Sequence, residues 1–383
     1  MTAARQDATQ DSTDVLRVAD LTKVYALHSP VISRLTRGGA RDGQLRALDG
    51  VDLELRRGEI LALVGESGSG KSTLAKILVG GQTATSGSVH HDGHPMPAHR
   101  DRDQRRRIQM VFQDPYSSLN PRISVGSMLR ELLLLHRVVP RRDVRAESVR
   151  LLNLVGLEED ALEAYPSQFS GGQRQRLAIA RALAVRPDVL IADEPVSALD
   201  VSVQATILEL FASLQRELGL SILFVAHNLA VVQHLSHRVA VMYLGRIVEV
   251  AETAELFANP RHPYTRALID SIPRMSVGSI NEEFVLEGEP PSPFDVPAGC
   301  RFHPRCPYAT DACRTTDPAL ADVAREHRSA CLHASDLDAF DAAPDPRRSL
   351  EFGSPTTADL ERVATTTTVT TTVTTTKDRS TSA

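Results

Sequence analysis

Unbroken apolar runs of strand length recur along this chain between longer segments of helical period. Ile60-Leu-Ala-Leu-Val64 and Val189-Leu-Ile-Ala192 have no polar interruption, as strands buried on both faces of a parallel sheet require. Strands at 189–193 and 221–226 bracket a helix at 201–218, the order of a βαβ unit. Val51-Asp-Leu-Glu-Leu55 and Ser88-Val-His90 instead alternate, which predicts antiparallel strands with one wetted face. Residues 114–180, including 128–136 and 148–157, follow the helical period and predict a helical subdomain. Asp101-Arg-Asp-Gln-Arg-Arg-Arg107 reads as a solvated face ahead of a strand at 108–112. The class is α/β: a parallel-sheet core, an antiparallel β subdomain and a helical subdomain.

The strand ending at Val64 runs into Gly65, Glu66, Ser67, Gly68, Ser69, Gly70, Lys71, Ser72 and Thr73, and then into a helical pattern. Gly-x4-Gly-Lys-Ser between strand and helix is a phosphate loop. Its glycines let backbone N–H groups curl around phosphate oxygens at a helix N-terminus, where the helix dipole also favours negative charge. Lys71 reaches the β- and γ-phosphates and Ser72 offers a hydroxyl to Mg²⁺. Asp193 and Glu194 end the second apolar run, at the carboxyl edge where open α/β sheets hold ligands. Asp193 is the expected Mg²⁺ carboxylate, and Glu194 the group that orients or deprotonates the attacking water.

With these residues in view, the chain resembles the ATP-binding cassette (ABC) family of P-loop ATPases. Phe169-Ser-Gly-Gly-Gln173 corresponds to the family signature LSGGQ, with Phe in place of Leu. The resemblance implies that Ser170, Gly171, Gly172 and Gln173 cap the γ-phosphate of ATP bound to an opposite subunit. A serine, two glycines and a helix-forming run make a second anion-binding helix N-terminus. The family pattern further implies a Q-loop role for Gln113, sensing Mg²⁺ and water. It makes Ser197-Ala-Leu-Asp200 the D-loop, His227 the switch histidine, and Tyr25 the aromatic that stacks on adenine. Gln113, Glu194 and His227 are the implied catalytic set.

Segments outside the ATP motifs, VMYLGRIVE and NPRHPYTRALI among them, resemble the ATPase subunits of bacterial dipeptide and oligopeptide importers. Carrying no obvious ATP chemistry, they are read as marks of the subfamily. The implication is ATP-driven import of short peptides through two transmembrane permease subunits. A paralogous ABC ATPase would complete a heterodimer, a homodimer being the alternative, and an extracytoplasmic peptide-binding protein would deliver cargo. Branch members for nickel or oligosaccharide are the alternative reading of cargo. A soluble non-transport ABC ATPase is the rival class; such proteins carry paired cassettes or long coiled coils, and neither pattern occurs here.

Composition narrows this further. The 383 residues carry a net charge of −5, so no basic field argues for nucleic acid. Residues 1–14 are polar, without the apolar core of a signal peptide, and no run approaches the roughly 18 apolar residues of a spanning helix. The expected location is peripheral, on the cytoplasmic face of the inner or plasma membrane.

Cys300, Cys306, Cys313 and Cys331 are the only cysteines, confined to 32 residues with 5, 6 and 17 residues between them. Without an export signal a disulfide framework is disfavoured, and gathered thiols suit iron–sulfur or Zn²⁺ ligation. The spacing matches neither common zinc nor ferredoxin patterns, so cluster, zinc and free thiols all remain open. Resemblance to the importer branch favours [4Fe–4S]. His303, His327 and His333 lie nearby as substitute ligands. The domains expected are a disordered lead at 1–14 and an ABC ATP-binding domain at 15–255. A C-terminal region with the four cysteines follows at 256–335, then a disordered Thr-rich tail at 336–383.

Overall fold

Alternating hydrophobicity near the start of the chain builds two long strands. In the computed structural model, which describes residues 14–26, 44–114, 118–272 and 291–335, β1 (Asp14–Ala26) and β2 (Gln44–Arg56) pair antiparallel. Their inward residues, Val15, Leu16, Val18 and Leu21 facing Leu48, Val51, Leu53 and Leu55, are at most 3% exposed. β3 (Ile60–Val64) is buried at every position and turns through the phosphate loop into α1 (Lys71–Leu78). The chain then rejoins the first sheet as β4 (Ser86–His91) and β5 (His94–Pro95), giving the order β2-β1-β4-β5. Of the segments expected to be disordered, 1–14 and 336–383, residues 1–13 and 336–383 lie outside the described residues, while Asp14 already opens β1.

The end of α1 is closed by a side chain from outside the helix. Arg100, 7% exposed, donates through Nη2 to the Ile77 carbonyl at 3.2 Å and through Nη1 to that of Leu78. A cation suits the negative end of the helix dipole. The charge cluster that follows winds into α2 (Arg102–Arg107), started by a capping box between Asp101 and Gln104 and burying no residue. It is the solvated face expected, in helical form, and leads into β6 (Ile108–Val111).

Helical period then takes over. α3 (Val125–Leu135), α4 (Val144–Leu154) and α5 (Gly171–Leu183) pack through Val125, Leu129, Leu133, Leu151, Leu152, Leu177 and Ile179, each at most 1% exposed. Glu147 ties α4 down by accepting hydrogen bonds from Arg150 and Arg186.

The chain continues as β7 (Val189–Asp193), α6 (Val201–Leu218), β8 (Ser221–Ala226), α7 (Leu229–Gln233), β9 (Arg238–Tyr243) and β10 (Arg246–Glu252). After these come α8 (Thr253–Ala258), α9 (Pro263–Asp270), α10 (Asp311–Thr315), β11 (Ala321–Ala324) and β12 (His327–Ser329). The described strands of the core sheet run β11-β12-β10-β9-β3-β8-β7-β6. From β9 to β6 the pairing is parallel, and from β9 outward to β11 it is antiparallel. β3, β8 and β7 are adjacent, so three loops open side by side at one carboxyl edge. β12 returns from the cysteine-bearing segment to pair with β10, placing Glu249 opposite Ser329.

Candidate functional site

Local geometry makes the phosphate loop. Gly65 holds φ 153°, and a Cβ there would run into the Met242 carbonyl. Gly70, at φ 111°, caps α1 in a left-handed conformation, and a Cβ would sit 2.5 Å from the Ala47 carbonyl. Only glycine meets both demands. The Lys71 ammonium lies inside the curl, donating to the carbonyls of Gly65 at 2.7 Å and Glu66 at 2.9 Å. Burial lowers its pKa, with Glu194, Asp193 and Glu66 opposing. The Ser72 hydroxyl donates to Asp193 Oδ1 at 3.1 Å. Burial raises the Asp193 pKa against that hydrogen bond, and the charge of Glu194 raises it further.

Glu194 turns away from the end of β7 with φ 47°, a left-handed backbone rare for a non-glycine residue. Its N–H donates to the Val225 carbonyl at 3.0 Å. That turn aims the carboxylate at the neighbouring loops. Gln113, just beyond β6, donates from Nε2 to Glu194 Oε2 at 3.2 Å and to Ser197 Oγ at 3.3 Å. His227, at the end of β8, places Nδ1 3.3 Å from the same Glu194 oxygen. Gln113, Glu194 and His227, separated by up to 114 residues in sequence, thus meet at one carboxylate.

The signature stands elsewhere. Ser170 caps α5 by accepting from the Gln173 N–H at 3.3 Å, while Gln173 Oε1 accepts from the Ser170 N–H at 3.0 Å. Gly171 and Gly172 face Leu199 and Val203 across a gap too narrow for a side chain at Gly172, where a Cβ would lie 2.5 Å from Val203. Among the described residues no hydrogen bond joins this cap to the phosphate loop. Asp200 is the exposed N-cap residue of α6. Tyr25 donates its hydroxyl to Gln82 at 2.6 Å, and the Lys23 ammonium lies 5.0 Å from its ring centre.

Segments read as subfamily marks turn out to surround the phosphate loop. Tyr264 of the HPYT stretch accepts the Glu66 N–H at 2.8 Å. Gly245 of MYLGR donates its N–H to the Ser69 carbonyl at 2.8 Å. Arg305 forks onto the Glu66 carboxylate at 3.0 and 3.1 Å. Arg301 and Arg246 both pair with Asp49 of β2. Neither Tyr264 nor Arg305 lies in a nucleotide motif, so no local pattern points to them.

All four cysteines carry free thiols and line one cavity with His262, His303 and His333. Cys313 Sγ lies 3.6 Å from His333 Nε2. Burial pushes the Cys306 thiol up to about 12 and that of Cys331 to about 11, and raises Cys300. No three of these ligand atoms come within 4.8 Å of one another; among the described residues His91, Asp92 and Asp188 alone do so, and Arg57 and Arg107 already pair with the two carboxylates.

A phosphate loop after β3, paired carboxylates ending β7, a histidine after β8 and a serine-capped signature on a separate helical layer define an ATP-binding cassette. Residues 48–197 match the family described as ABC transporter, and residues 248–313 match the oligopeptide/dipeptide transporter C-terminal region. The dipeptide transport ATP-binding protein DppF of Haemophilus influenzae is 44% identical over 85% of this chain and 98% of its own. The di/tripeptide transport ATP-binding protein DppF of Pseudomonas aeruginosa is 46% identical over 84% and 98%. Among solved structures, the ATP-binding cassette MJ0796, a dimer in a post-hydrolysis state bound to ADP and Pi, superposes with a TM-score of 0.52 at 29% identity, covering 62% of this chain and 98% of that one. The chain belongs to the ABC transporter ATPases that carry the oligopeptide/dipeptide transporter C-terminal region. It is an ATP-binding subunit, an ATPase coupled to transport.

Proposed function

We propose that this ATPase powers import of dipeptides and short oligopeptides from the cytoplasmic face of the membrane. Its partners in this reading are two permease subunits, a paralogous ATPase or second copy, and an extracytoplasmic peptide-binding protein. The cargo assignment is supported by the names of the two relatives and by the C-terminal region they share with this chain. No described helix is long and apolar enough to cross a membrane, so contact with the bilayer falls to the permeases.

The convergence of Gln113 and His227 on one oxygen of Glu194 carries the mechanism. ATP lies with its phosphates against Lys71 and the N–H groups of the loop beyond Glu66, and Tyr25 meets the base. Ser72, Asp193 and the Gln113 amide oxygen offer the hard oxygen donors that suit Mg²⁺. When bound, the ion neutralises charge on the phosphates. Glu194 takes the proton of the attacking water, and His227 and Gln113 hold the carboxylate in line. Ser170 and Gln173, both exposed, and the half-buried Gly171 and Gly172 share no hydrogen bond with their own phosphate loop among the described residues, and act with Asp200 on nucleotide held by the opposing subunit.

For the cysteines we propose a [4Fe–4S] cluster held by Cys300, Cys306, Cys313 and Cys331, with a structural role. What supports the reading is that the four free thiols line one cavity and that thiolates are the ligands such a cluster takes. Anaerobic purification with iron and sulfide analysis tests this, and zinc or no metal in the protein rules it out.

The importer assignment is tested by isolating the tagged chain from native membranes and identifying what accompanies it by mass spectrometry. Two polytopic subunits, a second cassette and a peptide-binding protein are expected. Recovery of ribosomes or repair factors without membrane subunits overturns the transport partners.

A further inference from the structure

Glu66, the first side chain of the phosphate loop, is held by residues far away in the chain. Arg305 donates from Nη1 to Oε2 at 3.0 Å and from Nη2 to Oε1 at 3.1 Å, a planar two-point pair of the kind only arginine makes. The Arg305 side chain is 6% exposed and that of Glu66 25%, so water competes weakly for the contact. The peptide N–H of Glu66 is taken by the Tyr264 hydroxyl at 2.8 Å. Its carbonyl accepts the Lys71 ammonium at 2.9 Å. One residue therefore joins two outside groups to the lysine that meets the phosphates.

The two outside groups are braced. Tyr264 enters from the first turn of α9, whose N-terminus is capped by His262 Nδ1 accepting the Tyr264 N–H at 3.1 Å. Its ring packs on Tyr243 at 4.6 Å and on Phe302 at 5.5 Å, and Tyr243 meets Phe302 edge-on at 5.4 Å. Phe302 stands three residues before Arg305 in the same turn, and the Phe302 carbonyl accepts the Arg305 N–H at 3.0 Å. These rings leave Tyr264 and the Arg305 backbone little room to move.

We propose that Arg305 and Tyr264 are positioning residues for nucleotide binding, and that the C-terminal region thereby forms part of the ATP site. N–H dipoles that converge on a point repel one another until a phosphate arrives, so the open loop favours relaxation. Holding its first peptide from behind keeps the loop in its binding form and lowers the ordering cost of association. Arg305 and Tyr264 act through Glu66 and touch no nucleotide themselves. A purely structural role, fastening the C-terminal region to the sheet, makes the opposite prediction: loss of stability with nucleotide affinity unchanged.

The test uses the full chain with Arg305→Gln, Arg305→Lys, Tyr264→Phe and Glu66→Gln, and reads ADP affinity with a fluorescent analogue beside ATPase kinetics and Tm. In Arg305→Gln and Tyr264→Phe the dissociation constant rises roughly three- to tenfold, as contact-coupled sites do, and the loss falls on KM more than on kcat. Arg305→Lys recovers part of the loss. Glu66→Gln combined with Arg305→Gln is no worse than Arg305→Gln alone. Wild-type ADP affinity in folded Arg305→Gln and Tyr264→Phe, with Tm alone reduced, overturns the proposal. Should Arg305→Gln fail to fold, Tyr264→Phe decides, because it keeps the ring and removes only the hydroxyl. The inference rests on nucleotide binding at residues 65–73; failure of the unaltered chain to bind ADP would refute that reading instead.

Discussion

Gln113 Nε2 and His227 Nδ1 approach the same oxygen of Glu194, at 3.2 and 3.3 Å. The carboxylate is thus steered from β6 and from β8 while its own backbone is pinned in a left-handed turn. Replacing Glu194 by Gln keeps the shape and removes the proposed base. ATP turnover should fall by at least about 100-fold, the usual worth of a general base, while ATP binding survives and a closed, ATP-loaded dimer accumulates on size-exclusion chromatography. Turnover at the wild-type rate would remove Glu194 from its assigned role.

Ser72→Ala deletes the hydroxyl that donates to Asp193 at 3.1 Å. The buried Asp193 carboxylate then loses the hydrogen bond that opposes the upward pull of burial on its pKa. The Mg²⁺ concentration for half-maximal ATPase should rise several-fold, with far smaller change in metal-free ADP binding. Equal loss in both titrations would argue for a damaged loop rather than a lost metal donor.

His262 is 1% exposed, and burial pushes its pKa down to about 3. Its ring nitrogen caps α9 only when unprotonated. The unfolded chain takes up this proton near pH 6.5 and the folded one near 3, so stability is intact above pH 6.5 and declines as pH falls toward 3. The slope from this one group is at most about 1.4 kcal/mol per pH unit. His262→Asn retains a capping acceptor and should flatten that part of the urea-midpoint profile. An unaltered profile would mean that other groups dominate the acid limb.

Arg100 closes the carbonyl end of the phosphate-loop helix with no carboxylate partner among the described residues, and burial lowers its pKa to about 10. Arg100→Ala exposes the Ile77 and Leu78 carbonyls to an empty space. It should cost about 1–3 kcal/mol, the range for charged hydrogen bonds left unmade, measured by denaturant unfolding. An unshifted midpoint would show that the desolvation of the guanidinium cancels its bonds.

The parts of the site that depend on local backbone geometry were open to reading from the sequence. Gly65, Gly70, Lys71 and Ser72 declare themselves because strand, turn and helix occur in succession. Asp193, Glu194 and His227 follow because each ends an apolar run, and adjacent parallel strands bring such ends together. The helix at Arg102–Arg107 is hidden because an all-polar segment has no apolar period. MYLGR and HPYT are hidden for another reason: Gly245 and Tyr264 act on the loop through tertiary contacts that leave no spacing rule. Cysteine spacing could not choose a ligand because the thiols converge through the fold, with Cys300 and Cys313 joined by a backbone hydrogen bond of 2.9 Å.

The clamp on Glu66 also sets an order of events during synthesis. Tyr264 follows its partner by 198 residues and Arg305 by 239. β12, which ends at Ser329, takes its place between β10 and β11 later still. While the chain is being made, the phosphate loop, β3 and α1 all leave the ribosome long before the groups that brace them. Contacts of such long sequence separation form late in folding. A nascent chain halted before residue 305 therefore carries an intact nucleotide motif whose loop lacks the Arg305 brace, and in this reading it holds nucleotide more weakly until Arg305 has emerged.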